Sequence, residues 1–573
     1  MEKRWSIKEE PHFDVEAELS AFEDIGPIIG RLLALRGITS REEAHAFFYP
    51  TLAQLHDPFL MKDMAVAVDR LSKAISSNES ILIYGDYDVD GTTSVALVYS
   101  FLKEFHPHID YYIPDRCDEG YGISQKSIDL AEEKNISLVI ALDCGIKAVD
   151  KIAYAREKGI DFIICDHHTP GAELPEAVAC LDPKREDCNY PDKNLSGCGV
   201  GFKFMQAFAM RKGVAFDRLL RYIDLVVVSI ASDVVPVTGE NRTLAVAGLK
   251  KLNQDPCLGL KSIIQVAGID GKELELNDIV FKIGPRLNAA GRIESGNNAV
   301  KLLICNDEKE AYHIGCSINR CNETRKDLDR NITREAIRLV ATDKNLSHRK
   351  TTVLYQPCWH QGVIGIVASR LSSLFCRPSV ILTRTNELIV GSARSVDGYN
   401  VYQAIEACQD LLENFGGHDY AAGLTLKPEN VEVFAQRFEE VVAHTIEPAQ
   451  LVPQIDVDVE IRLKDITQVF FDNLKRCHPF GPGNPKPVFV TRNVYDFGTS
   501  KVVGRHREHL MLELIESDSP KIIRGIAFGK GHLLNRIKSS QPFDICYTIE
   551  ECMNNHPLSL QLMVLDIKWK SEQ

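Results

Sequence analysis

The chain has 573 residues, of which 45% are hydrophobic and 25% charged, fractions that exclude a disordered or fibrous protein. Lys and Arg number 66 against 80 Asp and Glu, a net charge of −14. A globally basic nucleic-acid coat protein is thereby excluded, whereas a local basic groove within an acidic body is not. At roughly 100–200 residues per domain, the length suits three or four domains. No stretch approaches the roughly 20 apolar residues that cross a bilayer, and the start, Met1-Glu2-Lys3-Arg4-Trp5, opens into polar sequence rather than a signal-peptide core. The 16 cysteines are scattered with no CxxC pair, and the nearest two, Cys316 and Cys321, have only His313 beside them. Free thiols in a reducing cytoplasm are the expectation.

Residues 1–80 read as short helices packed on the domain that follows. Ser40-Arg41-Glu42-Glu43 has capping-box form, and Pro50 stops that helix. From 81 to 305 strands alternate with helices: Ile81–Tyr84, Asp110–Ile113, Ser137–Leu142 and Asp161–Cys165 as strands, Thr92–Phe105, Ser124–Lys134 and Ala148–Lys158 as helices. That order predicts a doubly wound parallel sheet, an α/β fold. Residues 306–345 carry apolar side chains at three- and four-residue steps, one long connecting helix whose stripe breaks at Arg325, which is expected to face a gap between lobes. A second, smaller α/β domain spans 346–448, with strands Thr351–Tyr355, Ser379–Thr383 and Leu388–Ser392 and helices Val363–Phe375, Val401–Asn414 and Val431–Thr445. Residues 449–573 alternate apolar and polar, as in Ile455–Ile461 and Leu558–Ile567, and predict a small β-barrel.

The chemistry concentrates at strand ends. Strand Ile81–Tyr84 leads into Gly85-Asp86-Tyr87-Asp88-Val89-Asp90-Gly91. Three aspartates at alternate positions repel one another unless a cation lies among them. A calcium loop would need Glu about twelve residues on, where Leu97 stands. The pattern recurs at Asp143-Cys144-Gly145, at Asp166-His167-His168, and at Ser232-Asp233 after the apolar run Leu225–Ala231, read here as a further strand and the fourth strand end to carry an aspartate. Any single Asp after a strand is explained as a helix N-cap; the Asp triplet and paired histidines are not. Ligands bind beyond the carboxyl ends of parallel strands, and oxygen donors with few imidazoles suit Mn²⁺ or Mg²⁺. Two such ions, roughly 3.5–4 Å apart, can activate water and stabilise a leaving oxygen. Hydrolysis of a phosphoester or phosphoanhydride is the chemistry implied.

These four segments resemble the motifs of the DHH phosphoesterase superfamily. The resemblance implies that Asp143 bridges two metals, with Asp86 and Asp88 on the first and Asp90, His167 and Asp233 on the second, and that His168 backs the ligands or faces the phosphate. Other branches carry His where this chain has Tyr84, and many relatives carry Asn where it has Cys144. Further on, Gly284-Pro285-Arg286-Leu287-Asn288-Ala289-Ala290-Gly291-Arg292, read as a turn if merely structural, sets arginines among small residues. His360 precedes a glycine-rich helix start, Ser392 and Arg394 end a strand, and Gly416-Gly417-His418 stands before Ala421-Ala422-Gly423. Glycines near a helix start with Arg, Ser or His make a phosphate cradle.

Taken together, from Asp57–Leu60 to Gly481–Pro487, the segments resemble the RecJ family of single-strand-specific exonucleases, with DHH, DHHA1 and OB-like domains. The resemblance implies hydrolysis of single-stranded DNA from the 5′ end to mononucleotides in repair and recombination, with a single-strand-binding protein and a helicase as partners. Asp143, His168, Arg286 and Asn288 are then the catalytic candidates. Arg286, Asn288, Arg292 and His418 would hold the scissile phosphate, and Arg116, Ser392 and Arg394 a terminal 5′-phosphate. His360, Gly416 and Gly417 complete the substrate contacts, and aromatics such as Phe480, Phe489, Tyr495 and Phe528 either stack bases or, as is the default for an aromatic in a β module, build the barrel core. A cytoplasmic monomer is expected. The competing readings are a DHH phosphodiesterase of short RNAs or cyclic dinucleotides, an inorganic pyrophosphatase, and a non-catalytic replication scaffold of the same fold.

Overall fold

Five short apolar runs form one all-parallel sheet in the computed structural model, which describes residues 3–10, 13–116, 118–552 and 559–569. Met1, Glu2 and Leu558, read above, lie outside them. Strand order is Ile109–Tyr112, Ile81–Gly85, Leu138–Leu142, Asp161–Cys165, Ala179–Leu181. Helices cover both faces, so Ile81–Gly85 and Leu138–Leu142 are buried at every position, which is why each reads as an unbroken apolar run. The pairing sets Gly85 opposite Leu142, Leu142 opposite Cys165, and Cys165 opposite Leu181. The next residue of each strand is Asp86, Asp143, Asp166 or Asp182, so four aspartates leave the sheet at one level. Ala179–Leu181, only three residues long, escaped the sequence reading.

Leu225–Ala231 is not a strand. It lies within helix Ile223–Ser232, buried from Ile223 to Ala231 and packed against helices Val89–Lys103, Gly197–Lys212 and Gly239–Gln254. A helix apolar on all sides shows no 3.6-residue period and is indistinguishable from a buried strand in sequence. Asp233 is consequently a helix C-cap. Gly284–Ile293 is likewise a helix rather than a turn, Pro285 being tolerated in its first turn. The connecting helix runs Glu308–Thr342, 35 residues or about 50 Å, and Arg325 donates to Asn322 Oδ1 at 2.9 Å.

The second sheet is mixed, in the order Leu412–His418, Ala421–Leu426, Leu388–Arg394, Ser379–Thr385, Thr352–Tyr355. The helix expected over Val401–Asn414 stops at Glu406, and strand Leu412–His418 follows. Gly416 and Gly417 therefore belong to a hairpin, paired with Gly423 and Ala422. Gly417 has φ +153° and its backbone presses on Ala421 and Ala422, leaving no room for a side chain.

Residues 55–453 make one unit; residues up to 54 and from 454 make the other. In the latter, strand Phe489–Asp496 pairs with both Phe543–Cys552 and His509–Glu516, closing a barrel through Ser559–Trp569 and Ser519–Ala527. The segment expected to lie whole on the parallel-sheet domain divides near residue 54 instead. Helix Gly26–Ala34 buries Ile29, Leu32 and Leu33 in a core that includes Phe489, Leu512 and Phe543, and an unexpected strand, Arg4–Ile7, pairs in parallel with Gln454–Val457. The barrel alone would expose that apolar face, and the N-terminal helices cover it. Leu32→Ala removes a side chain with no solvent exposure; denaturant unfolding is expected to show a loss of about 2–5 kcal/mol for this unit.

Candidate metal centre and phosphate pocket

Three acidic side chains of the rim, and Asp166 behind them, are held by specific local devices. Asp88 N-caps helix Val89–Lys103, accepting from Gly91 N at 3.0 Å. Asp90 sits at the N-terminus of helix Gly197–Lys212, where its oxygens accept from Gly197 N (2.7 Å), Cys198 N (2.8 Å) and Ser229 Oγ (2.7 Å). Asp143 adopts φ +59°, a left-handed turn that Asp tolerates better than most residues. Gly197 makes room for it: a Cβ there would lie 2.8 Å from Asp143 Oδ1. Asp166 accepts from Ile146 N, His167 N and His168 N, and its Oδ1 lies 2.7 Å from His168 Nδ1. Tyr84 is buried and donates to the Gly122 carbonyl at 2.7 Å, a structural role.

The side chains converge on His167. Its Nε2 lies 3.1 Å from Asp143 Oδ1, 3.5 Å from Asp233 Oδ2 and 3.6 Å from Asp90 Oδ2. One ring N–H can serve only one of these oxygens; Asp90 Oδ2 is also served by Gly197 N, while His167 Nδ1 is buried with no partner. Asp86 Oδ1 is buried with no hydrogen bond at all. Burial pushes the carboxyls of Asp86, Asp88, Asp143 and Asp233 up, and the neighbouring aspartates push them further. Burial also drives His167 down to about 4, keeping it a neutral ligand-type imidazole. Orphaned oxygen, mutual repulsion and neutral nitrogen are the conditions that divalent cations relieve, and the donor set fits Mn²⁺ or Mg²⁺. Asp90, His167 and Asp233 form one tight group of possible ligands, and Asp143, His167 and His168 another.

His168 behaves differently from its neighbour. Burial opposes its charge, but the hydrogen bond and charge of Asp166 outweigh this and raise it to about 9. Its ring stacks on that of His418 with centroids 6.1 Å apart, so the second lobe reaches the rim at this point. Tyr121 Oη stands 3.2 Å from the His168 ring and 3.4 Å from the Asp143 carbonyl. Neither Asp166 as a buttress nor Tyr121 was assigned a role in sequence, because each acts through a backbone turn or ring contact with no motif spacing of its own.

A second cluster is cationic. Arg116 lies over the Tyr87 ring at 4.7 Å, Arg394 donates to Ser392 Oγ at 2.8 Å, and Arg292 donates to the Gly362 carbonyl at 3.0 Å. Burial, then repulsion by Arg116, Arg394 and Arg325, depresses Arg292 to about 9, and burial with Arg116 lowers Arg394. Among the described residues none of Arg116, Arg292 and Arg394 has a carboxylate ion pair. Like charges held together without a counter-ion make an anion pocket. Gly365 belongs to its wall, since a Cβ there would meet Arg394 Nη2 and Ser392 Oγ at 3.0 Å. Arg292 thus joins Arg116 and Arg394 rather than Arg286, whose Nε and Nη1 are occupied by Asn319 Oδ1 and the Lys282 carbonyl. Asn288 Oδ1 is buried without a partner. His360 N-caps helix Gln361–Phe375, its Nδ1 accepting from Gly362 N at 3.1 Å.

Residues 80–230 match the DHH family, N-terminal domain, residues 349–444 the DHHA1 domain, and residues 457–566 the RecJ OB domain. A single-stranded-DNA-specific exonuclease RecJ of Bacillus subtilis is 36% identical over 565 residues, covering 98% of this chain and 70% of the relative. That of Escherichia coli is 31% identical over 575 residues, covering 97% of each. The chain belongs to the RecJ family. A crystal structure of Thermus thermophilus RecJ in complex with Mn²⁺ superimposes with a TM-score of 0.85 at 26% identity, over 99% of this chain and 79% of that one. The α/β parallel-sheet lobe, long helix, second α/β lobe and OB barrel are the architecture of this family. Asp166→Asn is close to isosteric, but it removes the charge that holds His168 protonated and turns an amide N–H toward one of the backbone donors, Ile146 N or those of His167 and His168, that the carboxylate accepts from. Hydrolysis of single-stranded DNA by this variant is expected to fall about 10–100-fold, with the circular dichroism spectrum unchanged.

Proposed function

We propose that this chain hydrolyses single-stranded DNA from its 5′ end, releasing mononucleotides with two divalent cations, Mn²⁺ or Mg²⁺, at the aspartate rim. The observation that carries the reading is the pairing of that rim with an arginine pocket that has no carboxylate ion pair among the described residues, in one lobed unit. Asp143 would bridge the ions, Asp86 and Asp88 would hold the first, and Asp90, His167 and Asp233 the second. When bound, the ions supply Lewis acidity and a water nucleophile at neutral pH. The chain's own residues do the rest. Arg116, Arg292, Arg394 and Ser392 seat the terminal phosphate, which measures one nucleotide to the rim. His168, kept cationic by Asp166, faces the phosphate and stabilises charge as the bond breaks. Asn288 and His418 orient the substrate beside it. Arg286 braces helix Gly284–Ile293 against Asn319, and His360 fixes the helix start on which Arg292 rests. Gly416 and Gly417 bring the hairpin backbone close to the rim, placing His418.

The barrel would add affinity for long strands. Phe489 is wholly buried and Phe480 packs on the same core, so these two build the module. Phe528 is 57% exposed, with His509 against its ring at 4.8 Å, and Phe497 is 49% exposed; these are the stacking candidates. The reading carries with it a cytoplasmic monomer that receives unwound ends from a helicase alongside a single-strand-binding protein. Among the described residues no helix is long and apolar enough to cross a membrane.

With 5′- and 3′-labelled strands in Mn²⁺, release from the 5′ end of single-stranded DNA, abolished by chelator, is the expected result; release from the 3′ end, or from duplex alone, would refute it. Arg394→Ala is expected to cut kcat/KM on 5′-phosphorylated strands at least tenfold more than on 5′-hydroxyl strands, read from paired time courses. Phe528→Ala is expected to weaken binding of long single strands by about 1–3 kcal/mol, measured by fluorescence anisotropy.

A further inference from the structure

The rim has a second cationic side, across the metal centre from the arginine pocket. Strand Leu138–Leu142 leads through Asp143 to Lys147, and strand Ala179–Leu181 leads through Asp182 to Lys184. The register places these two turns on either side of the one that carries Asp166, His167 and His168. Asp182 shapes its turn by accepting from Lys184 N at 2.7 Å. Both lysines are exposed, and among the described residues neither ammonium has an ion pair or hydrogen bond. Their charges nonetheless reach the site: both act on His418, and Lys184 acts also on His167, Asp182 and Asp233. His418 in turn stacks on His168. In an acidic neighbourhood, two lysines that are paired with no carboxylate among the described residues are placed for an anion from outside.

The two cationic sides differ in kind. The arginine pocket lies beside Tyr87 and Asp88, half-buried, with rigid guanidinium groups fixed by Ser392 Oγ, the Gly362 carbonyl and the Tyr87 ring. It suits an end. The lysine side is open to solvent, on long unbranched side chains, and suits a polymer that continues. The aspartates lie between them. With a terminal phosphate in the first, the strand must leave over the second.

We propose that Lys147 and Lys184, with His418, hold the phosphodiester immediately 3′ of the scissile one and so set the minimum length of an efficient substrate. The proposal rests on the exonuclease reading above. A 5′-phosphorylated dinucleotide has only the scissile phosphodiester and cannot use this contact; a 5′-phosphorylated pentanucleotide can.

The test compares kcat/KM for these two substrates in Mn²⁺ between the full-length chain and its Lys147→Ala/Lys184→Ala form. The ratio of pentanucleotide to dinucleotide is expected to fall about tenfold, through KM. The salt dependence of log KM for the pentanucleotide should become shallower by about 0.7, the value of one single-strand phosphate contact. Lys147→Arg/Lys184→Arg, which keeps both charges, should retain most of the ratio. An unchanged ratio in the alanine form, or an equal fall on both substrates, overturns the proposal. Wild-type protein that releases no mononucleotide from either substrate overturns the exonuclease reading itself, a result that is read before any variant is made.

Discussion

Carboxylates crowded in a poorly solvated rim are the constraint from which this structure follows. Two like charges about 4 Å apart at a protein surface oppose one another by roughly 4 kcal/mol, and here Asp86, Asp88, Asp90, Asp143 and Asp233 share one rim. The fold does not relax the crowding by turning side chains away. It fixes them: Asp90 by three donors, Asp88 by its helix, Asp143 by a left-handed turn that Gly197 accommodates. A protein that holds repelling groups in place so firmly has a use for cations there.

The parallel sheet explains how residues far apart in sequence meet. Register alone brings the residues after Gly85, Leu142, Cys165 and Leu181 to one level, and the right-handed winding of such sheets leaves that edge open for ligand. Asp233 comes from another kind of element, the end of a buried helix. The site thus joins sheet and helix layers, and its geometry depends on the packing between helices Ile223–Ser232 and Val89–Lys103 as much as on the strands.

The residues most legible in sequence were those whose chemistry is improbable in a simple core. The Asp86–Asp90 triplet and the His167–His168 pair stood out because burial should select against them, and the family resemblance supplied their likeness to known motifs. What sequence hid has physical reasons. The Leu225–Ala231 run is apolar on every side of a helix, so no period betrays it. Ala179–Leu181 is too short to show alternation. The Gly284–Ile293 helix contains Pro and two Gly residues, which argue locally for a turn until packing against helix Glu308–Thr342 overrides them. Helix Gly26–Ala34 announces its apolar face but not which partner covers it, and the partner lies over 400 residues away. The exclusion of Phe489 from any stacking role likewise depends on barrel closure, which single-strand alternation does not reveal.

That last pairing bears on how the molecule is made. Residues 3–54 share a core with residues from 454 onward, while the intervening 399 residues, 55 to 453, form their own unit. At ribosomal rates of roughly 5–20 residues per second, the earliest helices wait about 20–80 seconds for the strands that cover them. Throughout that interval the apolar face of helix Gly26–Ala34 lacks the strands that cover it, while residues 55–453 hold a core of their own. The N-terminal helices can therefore bury their apolar face only after the barrel strands have been made.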